Sequence, residues 1–371
     1  MTSSAATLLL RDADCVATFD DACLDLRRAS VLVRGGLIEA VGAAADLPQE
    51  ADEVIDARGH VVVPGLVNTH HMFQSLTRAI PAVQNAELFS WLRGLYPIWA
   101  GLTPEMVRVS TQVAMAELLL SGCTTSCDQL YVYPNGVRLD DSIEAAQQIG
   151  MRFVASRGSM SVGESQGGLP PDALVEREDA ILRDTERVIG AFHDASHGSM
   201  VNVAVPPCSP FSVSRELMRE SAALARARSN MRLASGIAPV RRMLDAGVPV
   251  GLGVDGSASN DDAHLLAEAR QATLLARVGR SLEPFGRDHD IGRIAPGMCA
   301  DLAVFDVRGI AVAGAAVHDP VASVVFCAGA SAAWTIVDGR VVVREGRLAT
   351  LEIEPLLERH DRLAREIAAG R

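Results

Sequence analysis

The stretch Val61-Val62-Val63-Pro64-Gly65-Leu66-Val67-Asn68-Thr69-His70-His71-Met72 decides the fold. An apolar run reaches Pro-Gly, a second short strand follows, and adjacent histidines stand at its end. Far downstream, Val248-Pro249-Val250-Gly251-Leu252-Gly253-Val254-Asp255-Gly256 ends another apolar strand in an aspartate. Such side chains at the carboxyl ends of apolar strands are what a βα barrel presents on its catalytic face.

Outward from these strands the chain divides by pattern. Residues 7–63 read as short strands with β-branched and apolar residues: Thr7–Thr18, Ser30–Val33, Leu37–Val41 and Val61–Val63. The same character returns in Ala300–Phe305, Ser323–Cys327, Trp334–Val337 and Arg340–Val343, with Asp338-Gly339 marking a tight hairpin. The two ends predict one small β-domain, residues 1–63 with 290–350. Residues 64–289 alternate strand with helix, which favours parallel βα units. Candidate strands are Leu66–His70, Thr124–Leu130, Met151–Arg157, Met200–Val205 and Val248–Val254. Candidate helices include Pro104–Ser121, Asp141–Ile149, Val175–Ala195, Arg215–Ala227 and Val240–Ala246. These strands are too few for a closed barrel, and residues 211–247 hold only two helices and a loop. The tail, 351–371, predicts a surface helix over Pro355–Ala369 from its periodicity and alternating charge.

Composition narrows the partners. The chain has 371 residues, 49% apolar and 22% charged, enough for a large core resting on Val, Leu, Ile and Ala, because aromatics make up only 4%. A net charge of −12 argues against nucleic acid or an anionic membrane surface. No basic segment precedes Leu8-Leu9-Leu10, and no apolar run is long enough to span a bilayer. A soluble cytoplasmic protein is expected. The seven cysteines are scattered without CxxC spacing, so reduced thiols are expected.

Two motifs carry chemistry. A strand places residues i and i+2 on one face, so His-x-His at a strand end aims two imidazoles at one metal. Here the order is His70-His71-Met72, and adjacent histidines face opposite ways unless the strand bulges. Met72 offers a soft neutral thioether, a poor ligand for a zinc that must generate hydroxide. A metal site and a structural strand-end histidine both stay open. Asp255 at a strand end can bind a metal and relay a proton; an Asp-Gly turn or helix cap is the alternative.

The chain resembles the amidohydrolase superfamily, in particular the group that includes 8-oxoguanine deaminase, atrazine chlorohydrolase and S-adenosylhomocysteine deaminase, and above all the first. The resemblance rests on Asn68–Ala79 (NTHHMFQSLTRA), Leu88–Trp99 (LFSWLRGLYPIW), Ala116–Thr125 (AELLLSGCTT), Pro207–Val213 (PCSPFSV), Ser229–Gly236 (SNMRLASG), Gly251–Asn260 (GLGVDGSASN) and Pro296–Phe305 (PGMCADLAVF). It implies an α/β fold: a (β/α)8-type barrel beside a composite β-sandwich from both termini. It implies one zinc that ionises a water to expel ammonia from a ring carbon of an oxidised purine or similar heterocycle. It places His70 as a metal ligand, Asp255 as metal ligand and proton shuttle, and Gln74, Trp91 and Cys208 on the substrate pocket. His71 is a further candidate ligand. On their own, these pocket residues read as a strand-end polar group, a core aromatic and a small buried side chain.

The chain also departs from the family. The family expects His-x-His, a strand-5 histidine followed by a catalytic glutamate, and a strand-6 histidine. This sequence has no histidine between His197 and His264, and Gln129 stands where close family members tend to have one. Strands 5 and 6 and most of strand 7, about three strands, are expected to be missing. Three readings remain: an impaired zinc-dependent deaminase, a non-catalytic purine-binding or oligomer-partner descendant, or a truncated copy. A homo-oligomer stays open.

Overall fold

The computed structural model describes residues 6–20, 22–84, 86–206, 208–209, 212–228, 253–256, 258, 264–267, 269, 287, 289–327 and 331–370. The candidate helix Val240–Ala246 and most of the candidate strand Val248–Val254 lie outside the described residues.

Five amino-proximal strands come first: β1 (Thr7–Ala17), β2 (Asp25–Arg34), β3 (Leu37–Ala43), β4 (Glu53–Asp56) and β5 (His60–Pro64). Near the other end come β11 (Leu302–Asp306), β12 (Trp334–Val337), β13 (Arg340–Arg344) and β14 (Arg347–Leu348). All nine share one sheet, ordered β14-β13-β12-β11-β5-β1-β2-β3, with β4 also on β1. The ends meet where β5 pairs antiparallel with β11, Pro64 opposite Leu302 and His60 opposite Asp306. Alternation along these strands feeds two cores. Val61, Val63, Ala303 and Phe305 pack to one side, and Val62, Leu302 and Val304 to the other.

The middle of the chain carries a parallel sheet. Its strands are β6 (Leu66–Met72), β7 (Cys123–Leu130), β8 (Arg152–Arg157), β9 (Val201–Ala204) and the two-residue β10 (Asp255–Gly256). Their order is β10-β6-β7-β8-β9, and every pairing is parallel. β7 and β8 are buried along their whole length, as a parallel sheet covered by helices requires. Around it lie α1 (Leu88–Trp99), α2 (Pro104–Leu120), α3 (Leu139–Ile149), α4 (Glu178–Phe192) and α5 (Arg215–Arg228). Local chemistry sets their ends. Thr103 caps α2, its hydroxyl accepting from the Met106 amide, with Pro104 in the first turn. Asp141 caps α3 by accepting from the Arg138 amide at 3.0 Å, and Gly150 ends it at φ 80°.

One expectation fails outright. Ser323–Cys327 reads as a strand, but it lies in a helix. After α6 (Ala315–His318), α7 spans Pro320–Phe326. Asp319 accepts from the Ala322 amide at 2.8 Å and Pro320 opens the helix, so a cap and a fixed φ outweigh the β-branched valines. β4 has no counterpart among the expected strands. The tail is α8 (Ile353–Ala368), which buries Leu356, His360, Leu363 and Ile367 on one helical stripe.

Candidate active site

β6 carries the histidines, and a bulge decides where they point. Its pairing with β7 slips between Asn68 and His71: Asn68 stands opposite Ser126 while His71 stands opposite Asp128. Three steps on β6 answer two on β7, which places an extra residue at Thr69–His70 and re-aims the side chains beyond it. His70 points to the partly open end of the sheet, where its Nε2 lies 3.1 Å from Asp255 Oδ1. His71 turns inward, fully buried, edge-on to Phe73 at 4.5 Å between ring centres. Among the described residues neither of its ring nitrogens has a hydrogen-bond partner. Burial, with Arg78 and His70 nearby, pushes its pKa down to about 3, so the ring is neutral.

Asp255 is brought to His70 by backbone pairing. β10 runs parallel to β6 with Asp255 opposite His71 and Gly256 opposite Met72. Asp255 has φ 62°, a left-handed conformation that aspartate tolerates better than most residues. Asn68 ties the three strands together: its amide nitrogen donates to Ser126 Oγ at 3.1 Å and its oxygen accepts from the Val254 amide at 3.0 Å. Gly253 allows the close approach. A Cβ there would stand 2.7 Å from His70 Cβ, 2.8 Å from its nitrogen and 2.9 Å from its carbonyl oxygen. Backbone cannot yield as a side-chain tip can. Gly253→Ala is therefore expected to lose about 1–3 kcal/mol of stability, the range for overpacking. Gly190→Ala, in α4 with nothing within 4 Å, is expected to be neutral or stabilising. Urea denaturation of both variants checks the contrast.

The three expected pocket residues take different places. Gln74 is buried directly after β6, beside Tyr131. Trp91 is buried in α1, edge-on to Trp99 at 5.6 Å, and its indole Nε1 donates to the Ala258 carbonyl at 3.2 Å, just past Asp255. Cys208 is half-buried, its amide donating to the Ser159 carbonyl at 3.0 Å. Burial holds its thiol neutral, with the pKa up at about 11.

Two further residues, on β7 and at its carboxyl end, join the site without a motif of their own. Asp128 is buried and accepts from the Phe73 amide at 3.0 Å. Desolvation raises its pKa to about 7. Tyr131 is buried beyond the strand, its phenol kept un-ionised by desolvation and then by Cys208, Tyr96 and Asp255. The signal in the sequence is position: both close the strand next to the histidines, at the end where barrel chemistry sits.

These groups can be tested against a metal. Two donors on one tetrahedral zinc, each about 2 Å from it, stand roughly 3.3 Å apart. The His70–Asp255 separation of 3.1 Å suits that. A catalytic zinc takes about three protein ligands. Among the described residues no group of three or more His, Cys, Asp or Glu side chains is placed to hold one. The sequence offers no histidine between His197 and His264 to add. The described residues thus fall short of a zinc shell. Among them, no helix is long and apolar enough to cross a membrane.

Comparison with known proteins places this geometry. The amidohydrolase family model matches residues 61–229 and 225–342, two pieces that meet at 225–229. The chain is 37% identical to 8-oxoguanine deaminase of Pseudomonas aeruginosa over 443 residues, covering 96% of this chain and 98% of that protein. It is 30% identical to hydroxydechloroatrazine ethylaminohydrolase of Pseudomonas sp. strain ADP, covering 96% and 94%. The crystal structure of atrazine chlorohydrolase from Arthrobacter aurescens complexed with zinc superposes with a TM-score of 0.87 at 28% identity, covering 96% of this chain and 100% of that one. A triazine hydrolase variant gives a TM-score of 0.88 at 27% identity, covering 97% and 99%. An α/β fold, a parallel sheet ending in His70 and Asp255, and matches along nearly the whole sequence lead to one assignment: the chain belongs to the amidohydrolase family.

Proposed function

We propose that this chain descends from zinc-dependent deaminases of oxidised purines, is of the 8-oxoguanine deaminase type, and is impaired as it stands. The observation that carries the reading is the 3.1 Å approach of His70 Nε2 to Asp255 Oδ1 across β6 and β10. In this reading His70 and Asp255 would hold a metal, and Asp255 would also handle the proton. His71, turned inward, contributes only if β6 shifts. Gln74, Trp91 and Cys208 line the pocket for a flat heterocycle. When bound, one zinc supplies a nucleophilic hydroxide. The chain's own part is to hold the ring and move a proton at the Asp255 carboxylate.

The impairment rests on ligand count and on missing chain. The 443 residues aligned with 8-oxoguanine deaminase exceed the 371 of this chain, and the family match breaks at 225–229. This supports a barrel, residues 64–289, that lacks about three strands. Residues 1–63 with 290–350 form its composite β-domain and 351–371 its terminal helix. The protein is assigned to the cytoplasm, and a homo-oligomer is the natural assembly to look for.

The short ligand count also favours a second reading, a purine-binding protein without catalysis. Metal analysis with an ammonia-release assay on 8-oxoguanine separates the two. The expected result is zinc well below one per chain and very slow turnover. Tight, stoichiometric zinc with turnover of about 1 per second or more, an ordinary enzyme rate, overturns the impairment. Thermal stabilisation by 8-oxoguanine in the presence of chelator, without ammonia release, selects the binding protein.

A further inference from the structure

β8 ends in Arg157, a guanidinium buried at the carboxyl end of the parallel sheet. Each of its nitrogens is engaged. Nε donates to Asp184 Oδ2 of α4 at 2.9 Å. Nη2 and Nη1 donate to the two carboxylate oxygens of Glu176 at 2.8 and 3.1 Å. Nη1 also donates to the Gly158 carbonyl at 2.5 Å. Its Cζ lies 3.9 Å from the centre of the Tyr133 ring, a cation over an aromatic face.

These contacts fix how the chain leaves the strand. The Gly158 amide donates to the Leu130 carbonyl of β7 at 2.8 Å. A Cβ at Gly158 would stand 2.6 Å from that oxygen and 2.8 Å from Tyr131 Cβ, so the backbone packs directly on the end of β7. Gly158 is thus held by β7 at its amide and by Arg157 at its carbonyl. Glu176, gripped by the same guanidinium, donates its amide to the Met160 carbonyl at 2.9 Å and closes the far end of the loop onto its start.

The segment that carries Cys208 is built on this loop. The Cys208 amide donates to the Ser159 carbonyl, and the Ser212 carbonyl accepts from the Ser161 and Val162 amides at 2.8 and 3.1 Å. Ser161 Oγ accepts from the Ser214 amide at 3.3 Å and donates to Glu178 Oε1 at 3.0 Å. We propose that Arg157 is a positioning residue for the pocket wall: by fixing the turn that leaves β8, it orients the backbone of residues 159–162 and so sets where the Cys208 thiol sits. The role of Cys208 in the pocket rests on the proposed function; its linkage to Arg157 does not. The planar fork is what the task needs. A lysine keeps the charge but offers a single point, and cannot span Glu176, Asp184 and the Gly158 carbonyl together.

Thiol labelling of the full chain reads the linkage without metal or heterocycle, with the other cysteines as internal controls. N-ethylmaleimide is the probe, and peptide mass spectrometry gives a rate for each cysteine. In Arg157→Lys the half-buried Cys208 is expected to label about tenfold faster than in wild type or more, the mark of easier local opening. Cys123, buried in β7, and Cys327, beyond α7, are expected to keep their wild-type rates. Glu176→Gln is expected to move Cys208 in the same direction, and it decides alone if Arg157→Lys does not fold. Asp140→Asn loosens the Arg187 pair between α3 and α4 and leaves the loop untouched, so Cys208 is expected to stay at its wild-type rate. An unchanged Cys208 rate in the folded variants of Arg157 and Glu176 overturns the proposal. So does a Cys123 rate that rises in step with Cys208, or an equal rise of Cys208 in Asp140→Asn, since either would mean general loosening of the fold.

Discussion

Asp301→Ala is expected to remove about 3–5 kcal/mol of folding stability, the cost of stranding one member of a buried ion pair. The stranded group is Arg152, which opens β8 with no exposed side-chain surface. Its Nε donates to Asp301 Oδ2 at 2.7 Å and its Nη2 to Oδ1 at 2.9 Å, a two-pronged geometry. Its Nη1 donates to the Gly198 and Ser199 carbonyls at 2.6 and 2.8 Å. Asp301 Oδ1 also accepts from the Asp338 amide at 2.8 Å, at the β12–β13 hairpin. The pair thus joins the parallel sheet to the nine-stranded one. Removing the carboxylate leaves the buried guanidinium with only the more distant Asp338 Oδ1, at 3.6 Å, as counterion, and the hairpin amide without its acceptor. The exposed pair Arg58–Asp56 supplies the control, and Arg58→Ala is expected to leave stability nearly unchanged because solvent screens the pair. Urea denaturation measures both. An Asp301→Ala loss no larger than the control's would remove the clamp.

The second large effect is hidden in wild type by cancellation. His71 and Asp128 are register partners across β6 and β7, both buried, and their shifts have opposite consequences. The unfolded chain protonates His71 below about pH 6.5, whereas the folded chain does so only near 3. Its contribution, intact above 6.5, is therefore lost as pH falls. Asp128 keeps its proton in the fold up to about pH 7, while the unfolded chain gives it up near 3.8. Its contribution therefore grows as pH falls through the same window. Each slope is about 1.4 kcal/mol per pH unit. In metal-free protein the two offset each other. Asp128→Asn is expected to expose the histidine slope, a loss of about 3 kcal/mol from pH 6.5 to 4. His71→Leu is expected to expose the opposite one, a gain of similar size. Stability curves of both variants in chelator, flat across that window, would show that the pair does not titrate as described.

The parallel strands were legible because burial on both faces writes long apolar or small-residue runs. Thr124–Leu130 and Met151–Arg157 differ from β7 and β8 by one residue at the start. The tail was legible because Leu356, Leu363 and Ile367 repeat at helical spacing. Ser323–Cys327 misled because β-branched residues dominate it, and the cap that decides its helix lies four residues upstream at Asp319. At the site, His70 and Asp255 stood out as polar ends of apolar strands. The direction each histidine takes was open, since it depends on the slip between Asn68 and His71, a property of pairing with β7. His360 was invisible as a partner of Ser75: nothing local to either residue signals a contact made through folding of the whole chain.

The seam between β5 and β11 also governs how the molecule is made. Pro64 leaves the ribosome about 240 residues before its partner Leu302. At about 5–20 residues per second, the β5 edge waits on the order of ten to fifty seconds for the strand that covers it. During that interval the nascent chain offers Val61, Val62 and Val63 as a strongly apolar strand that has β1 on one edge and nothing on the other. Yield in cells should then depend on chaperone supply during translation more than on the stability of the finished fold.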